Sequence, residues 1–158
     1  MIRLLITDCD GVLTPKYKWY TEDGKLIKRF VTRDMTAVRS FEQLHGVPTY
    51  VLSGDDRVNK KFCEMHRLGF AKSVTDKPVY VGGIAAKCNV QLCETVYIGD
   101  DVPDVEAGKL CGFFFAPQDA DPYVLEHATS LPINGGEGVI AVLYNYLKKN
   151  HMLQQEDE

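Results

Sequence analysis

Apolar residues fall along this chain in short runs that end in acids, serine or glycine, and the runs alternate with longer stretches of helical spacing. The run 2–7 ends at Asp8 and predicts a strand buried on both faces. Asp34 is positioned to cap a helix over 34–45, where Val38, Phe41 and Leu44 recur at helical spacing and Gly46 supplies the stop. A second strand is expected over 48–52, ending at Ser53-Gly54, then a helix over 57–68 stopped by Gly69. A short strand over 71–74 leads to Asp76-Lys77-Pro78, and Pro78 suits the first turn of a helix reaching about residue 90. The run 95–98 breaks at Gly99-Asp100-Asp101, a short helix follows over 102–110, and a further strand over 112–116 ends at Pro117. Gly135-Gly136 opens the last helix, which runs to Lys149 with Val139, Val142, Leu143, Tyr146 and Leu147 on one side.

One segment departs from this alternation. Residues 16–31 are aromatic and basic, and Asp23-Gly24 separates two strand-like runs at 17–20 and 26–30, which is a hairpin signal. The remainder reads as an α/β protein with a doubly wound parallel sheet of Rossmann type, covered on both faces, with a projecting β-hairpin flap at about 16–31 after the first strand and no separate cap domain. Residues 1–150 form the expected single domain, and 151–158 a polar and mobile tail. In such sheets ligands bind at the carboxyl ends of the strands, near a switch in strand order.

Composition narrows the function. A net charge of −4 argues against a general binder of nucleic acid or anionic membrane. No apolar run is long enough to cross a bilayer, and the first residues lack the apolar stretch and cleavage site of a secretory signal. Five cysteines, an odd number with no Cys-x-x-Cys pair, fit buried thiols in a reducing compartment, so the expected location is cytoplasmic. The histidines at 45, 66, 127 and 151 are scattered and form no metal-ligand spacing.

Four polar clusters stand at strand ends or helix starts: Asp8-Cys9-Asp10-Gly11, Ser53-Gly54, Lys77, and Gly99-Asp100-Asp101 with Asp104. Any one of them alone reads as a turn, a cap or a solvated side chain. Together, on one edge of a parallel sheet, they can converge on phosphoryl transfer, in which positioning and charge neutralisation dominate. Asp8 and Asp100 can supply carboxylates to Mg²⁺, and Ser53 and Lys77 can hold phosphate oxygens. If the chain leaves its strand as a loop, Gly11 lets Asp10 fold back beside Asp8, so that one carboxylate attacks phosphorus and the other handles the leaving-group proton. A signalling receiver domain also phosphorylates an aspartate in a doubly wound sheet. There the reacting Asp follows a later strand and the Lys comes near the end, an order this chain does not have.

The set resembles the haloacid dehalogenase superfamily of phosphatases, over nearly the whole chain. The first motif is met by Asp8-Cys9-Asp10-Gly11-Val12-Leu13-Thr14, the second by Ser53-Gly54, the lysine by Lys77, and the last motif by Gly99, Asp100, Asp101 and Asp104. The resemblance implies that Asp8 forms an aspartyl-phosphate and that Asp10 is the general acid and base. It also implies that Asp8, the Asp10 backbone carbonyl and Asp100 bind Mg²⁺, and that Ser53, Gly54 and Lys77 grip phosphate.

Within the superfamily the chain is similar to the small capless branch that includes the 3-deoxy-D-manno-octulosonate 8-phosphate phosphatases. Members of this branch act on phosphorylated sugar acids (ulosonate 8-phosphates or nonulosonate 9-phosphates) and serve sugar-acid and lipopolysaccharide biosynthesis. They are typically homotetramers in which a neighbour's flap helps close the site. Tyr17, Trp19 and Tyr20 then either line a neighbour's pocket or pack a subunit interface. Three positions differ from the branch pattern: Asp55 stands where Arg follows Ser-Gly, leaving Arg57 as the arginine for substrate, Met35 replaces Gly, and Pro103 replaces Asn. These differences motivate a second reading, a non-catalytic oligomerisation or regulatory domain of the same fold.

Overall fold

The computed structural model describes residues 1–55, 57–73 and 75–154. The expected end of one strand at Val74 and the far end of the expected tail, 155–158, lie outside the described residues. Six parallel strands form one sheet in the order β5-β4-β1-β6-β7-β8, where β1 is Leu4–Thr7, β4 Thr49–Ser53, β5 Gly69–Lys72, β6 Thr95–Ile98, β7 Phe113–Pro117 and β8 Thr129–Leu131. The chain winds outward from β1 through β4 to β5, then crosses back to β6 on the other side of β1. The switch in strand order therefore falls at β1, as the doubly wound reading requires.

Successive strand residues point to opposite faces, and the core divides accordingly. Leu5, Val51, Val96, Ile98 and Phe115 meet helices α1 (Thr32–His45), α2 (Val58–His66) and α6 (Val139–Lys149). Leu4, Ile6, Leu52, Tyr97, Phe114 and Ala116 meet α3 (Lys77–Lys87), α4 (Val105–Leu110) and α5 (Pro122–Leu125). Both faces are covered by helices and buried, which explains why the strands read as continuous apolar runs.

The flap is a hairpin of two short strands, β2 (Trp19–Tyr20) and β3 (Leu26–Ile27), paired antiparallel. Its tip holds three residues. The Gly24 N–H donates to the Thr21 carbonyl and the Thr21 N–H to that of Lys25, with Gly24 left-handed at φ 81°, the arrangement in which a turn is followed by a glycine bulge.

Several boundaries differ from expectation. Helix α1 begins at Thr32 with Val31 in the capping place, and the Asp34 carboxylate instead accepts from the Ala141 N–H at 3.0 Å, so it caps the start of α6 across 107 residues of sequence. Helix α2 stops at Arg67, which takes the left-handed conformation (φ 58°), while Gly69 opens β5 directly under the ring of Tyr50, where a Cβ would lie 2.3 Å from the ring. The pair Gly135-Gly136 precedes the last helix rather than opening it. The Gly136 N–H donates to the Val12 carbonyl at 2.8 Å, so this loop buttresses the turn after β1. On α6, Tyr146, expected on the same side as Val139, Leu143 and Leu147, is exposed, while Ile140 joins those three in the core. Strand β8 and helix α5 were not expected at all.

Candidate active site

Each expected site residue sits at the carboxyl edge of the sheet. Asp8 directly follows β1, Ser53 ends β4, Asp100 comes two residues after β6, and Lys77 is the first residue of α3. The Asp8 N–H donates to the Ile98 carbonyl at 2.8 Å and extends the β1–β6 ladder by one step, which fixes the Asp8 backbone. The chain then turns sharply, with the N–H groups of Val12, Leu13 and Thr14 all directed at the Cys9 carbonyl. Gly11 (φ 86°) lies against Asp100, where a Cβ would come within 1.9 Å of Oδ2. Only glycine lets the first and last motifs approach this closely.

Asp104 organises the back of the site. It is fully buried, and its Oδ1 accepts from Lys77 Nζ at 2.7 Å and from the Tyr97 hydroxyl at 2.6 Å. Its Oδ2 accepts from the N–H groups of Asp100 and Asp101 at 3.0 and 3.1 Å. Lys77 Nζ also lies 3.2 Å from Asp8 Oδ2. Burial alone would lower the Lys77 pKa, but the Asp8 and Asp104 carboxylates outweigh it and hold the ammonium firmly charged. Lys77 therefore stands behind Asp8 rather than on the open cleft wall.

The cleft in front has a volume of about 780 Å³. Asp8, Asp10, Ser53, Gly54, Arg57 and Asp100 all line it, so the structure brings together the residues expected from sequence. Arg57 is engaged on the rim: its Nε and Nη2 donate to Asp55 at 3.2 Å each. Burial would raise the Asp55 pKa, but these bonds and Lys28 pull it well below the usual carboxylate range, so Asp55 is an anion partnered by cations.

Charge is unbalanced at the centre. Three carboxylates, those of Asp8, Asp100 and Asp104, have ligand oxygens within 4.8 Å of one another, and among the described residues Lys77 is the one cation paired with them within 4 Å. Burial, then the Asp104 charge, raises the Asp8 pKa well above normal against the pull of Lys77. Burial, then Asp104 and Asp101, raises Asp100 to about 7. Asp100 Oδ1 is buried and without a hydrogen-bond partner among the described residues. Asp104 is saturated by its four donors, so Asp8 and Asp100 are the carboxylates available to a cation. All-oxygen donors with excess negative charge fit Mg²⁺. Cys9 is no rival nucleophile, because burial and then the charges of Asp10 and Asp8 push its thiol pKa well up.

Three residues of the site were not singled out from sequence. Tyr97 reads as an ordinary core aromatic, and only its hydroxyl contact reveals its part. Lys28 and Asn59 reach Asp10 from the flap and from α2, at distances of 2.6 and 3.2 Å. The one signal for Asn59 was a polar residue on the helix face that also carries Phe62 and Cys63. Lys28 gave none.

The family model of haloacid dehalogenase-like hydrolases matches residues 25–112. The 3-deoxy-D-manno-octulosonate 8-phosphate phosphatase of Haemophilus influenzae is 32% identical over 142 residues, covering 87% of this chain and 77% of that protein. Among solved structures, the cobalt-bound form of the Haemophilus influenzae enzyme superposes with a TM-score of 0.87 at 29% identity, over 94% of this chain and 88% of that one. The Moraxella catarrhalis enzyme, solved with magnesium, phosphate and the sugar acid, gives a TM-score of 0.87 over 94% of this chain and 86% of that one, and at 22% identity shows likeness of fold.

Proposed function

The chain belongs to the haloacid dehalogenase-like hydrolases and is a phosphatase, and from that premise we propose that it removes phosphate from a phosphorylated sugar acid, 3-deoxy-D-manno-octulosonate 8-phosphate or a close analogue, through an aspartyl-phosphate at Asp8. The observation that carries this reading is the meeting of Asp8 and Asp100 on one cleft, with Asp100 Oδ1 lacking a hydrogen-bond partner among the described residues and the Lys77 ammonium 3.2 Å from Asp8 behind it.

In this reading an Asp8 oxygen attacks phosphorus, the bond from phosphorus to the sugar oxygen breaks, and Asp10 gives that oxygen a proton. Water then attacks the phosphorus, Asp10 takes back a proton, and free phosphate leaves with Asp8 restored. Ser53 and Gly54 on the cleft wall and Lys77 from behind Asp8 hold the phosphoryl oxygens, and Arg57 stands at the cleft mouth toward the sugar acid. Asp8, the Asp10 carbonyl and Asp100 would hold Mg²⁺, whose charge would offset that of the phosphoryl oxygens.

The same reading makes the chain a homotetramer joined through its flaps, on which Tyr17, Trp19, Tyr20 and Ile27 stand exposed. It places the protein in the cytoplasm, in sugar-acid and lipopolysaccharide biosynthesis, with five unbridged cysteines. No helix among the described residues is long and apolar enough to cross a membrane. The test is a panel of phosphomonoesters, including ulosonate 8-phosphates and nonulosonate 9-phosphates, assayed with and without Mg²⁺. Turnover that depends on the metal, prefers the sugar acids and vanishes in Asp8→Asn supports the proposal. A protein that binds Mg²⁺ and hydrolyses none of them rejects it in favour of a non-catalytic domain.

A further inference from the structure

Although the flap tip is exposed, its stem is bound to the site of its own chain. We propose that Lys28 is a positioning residue, which fixes the Asp10 carboxylate and locks the flap stem over the cleft; the inference rests on the acid–base role given to Asp10 above.

The stem is seated twice. Lys28 and Phe30, just after β3, are partly buried while Arg29 between them is exposed, so the two face the same way. Asn59 and Phe62 are three apart on α2 and share one helix face. The two pairs interlock: the Phe30 ring stacks on Phe62 with centroids 3.7 Å apart and planes within 8°, and the Lys28 ammonium donates to Asn59 Oδ1 at 2.7 Å.

The ammonium is then fully used. It has three protons and finds three acceptors, Asp10 Oδ1 at 2.6 Å, Asn59 Oδ1 at 2.7 Å and Asp55 Oδ2 at 3.2 Å, with its side chain 2% exposed. Asn59, itself fully buried, completes the arrangement by donating from Nδ2 to Asp10 Oδ2 at 3.2 Å and to Ser53 Oγ at 3.0 Å. Both oxygens of Asp10 are therefore held, one by the flap lysine and the other by an amide that the same lysine orients. Ser53 is held in the same frame. Neutralising Asp10 and Asp55 from between them also keeps these two carboxylates from repelling each other at the cleft wall.

The consequence is a dependence on the leaving group. A sugar alkoxide needs the Asp10 proton as its bond to phosphorus breaks, whereas a nitrophenolate leaves without one. In Lys28→Met, which keeps an apolar stem of similar length, kcat/KM (set by the steps up to departure of the leaving group, before Asp10 acts as base) on an alkyl phosphate should fall by about 100-fold, the cost of a misplaced catalytic group. On p-nitrophenyl phosphate it should fall by less than about threefold, which also shows the variant to be folded. Asn59→Leu, which frees the other Asp10 oxygen and also releases Ser53, should lose activity on both esters and still cost the alkyl ester more. Equal losses on the two esters, or no loss on the alkyl ester, overturn the inference.

A second arm does not use activity. Chymotryptic cleavage within 17–30 should be faster in Lys28→Met than in the wild type, and unchanged cleavage overturns the flap seat on its own. A wild type that hydrolyses neither ester would remove the phosphatase mechanism proposed above and leave this arm to decide the seat.

Discussion

Replacing Tyr97 by Phe removes one oxygen from a strand residue that is fully buried and leaves its ring contact with Phe114 in place. The oxygen lost is the one that donates to Asp104 Oδ1 at 2.6 Å. A hydrogen bond to a charged acceptor contributes about 1.5–3 kcal/mol. Asp104 keeps Lys77 and two backbone N–H donors, so its charge stays compensated and the loss should sit near the middle of that range, about 2 kcal/mol. Burial, then the Asp104 charge, raises the Tyr97 pKa well above normal, so the hydroxyl remains a donor at neutral pH. For a domain of this size 2 kcal/mol lowers Tm by about 4–8 °C. Urea unfolding followed by far-UV circular dichroism at neutral pH would measure it, with the denaturant slope unchanged. A loss below about 0.5 kcal/mol would refute the reasoning, because the hydroxyl would then not be bonded to an ionised carboxylate in the folded chain.

Other outcomes follow from the same geometry. Gly11→Ala places a Cβ 1.9 Å from Asp100 Oδ2 in a left-handed backbone, so Asp100 must swing away, and isothermal titration should show Mg²⁺ affinity reduced by about 10–100-fold. Mg²⁺ at about a hundredfold above its Kd should stabilise the wild type by about 2.7 kcal/mol, a gain that chelation reverses and that Asp100→Asn largely loses. Asp34 gives a pH dependence, because burial raises its pKa from 3.8 to about 6 against the Ala141 and Ile140 N–H bonds that lower it. The folded state binds this proton more tightly, so the stability from this group is full below pH 3.8, falls as pH rises to about 6, and is level above. Asp34→Asn removes that fall, so between about pH 4 and about pH 7.5 the variant should gain on the wild type by about 2.4 kcal/mol in unfolding free energy measured with urea.

The sheet and the acids were legible in the sequence because both depend on local pattern. Strands buried on two faces must be apolar throughout, and three such runs here end in a residue that enters the site: Thr7 leads to Asp8, Leu52 to Ser53, Ile98 to Gly99-Asp100. What escaped depends on contacts distant in sequence. Asp34 looks like a cap for its own helix, yet serves α6, because packing α1 on α6 brings the start of that helix against it. Gly69 looks like a helix stop, yet is needed beneath Tyr50 of the neighbouring strand, so Arg67 takes the left-handed turn. Strand β8 sits at the sheet edge with one buried residue of three, Leu131, too few to give a period. Lys28 stands in a run of basic and aromatic residues and shows its role only when the flap stem folds onto α2.

Under the proposed mechanism an Asp8 carboxylate oxygen forms the bond to phosphorus. Acid quench of the protein during turnover of 3-deoxy-D-manno-octulosonate 8-phosphate with Mg²⁺, followed by peptide mass spectrometry, reads this directly. One added phosphoryl group on the peptide holding Asp8, absent from Asp8→Asn, is the predicted result. Steady turnover with that peptide never modified, or with the phosphoryl group on another residue, would contradict it.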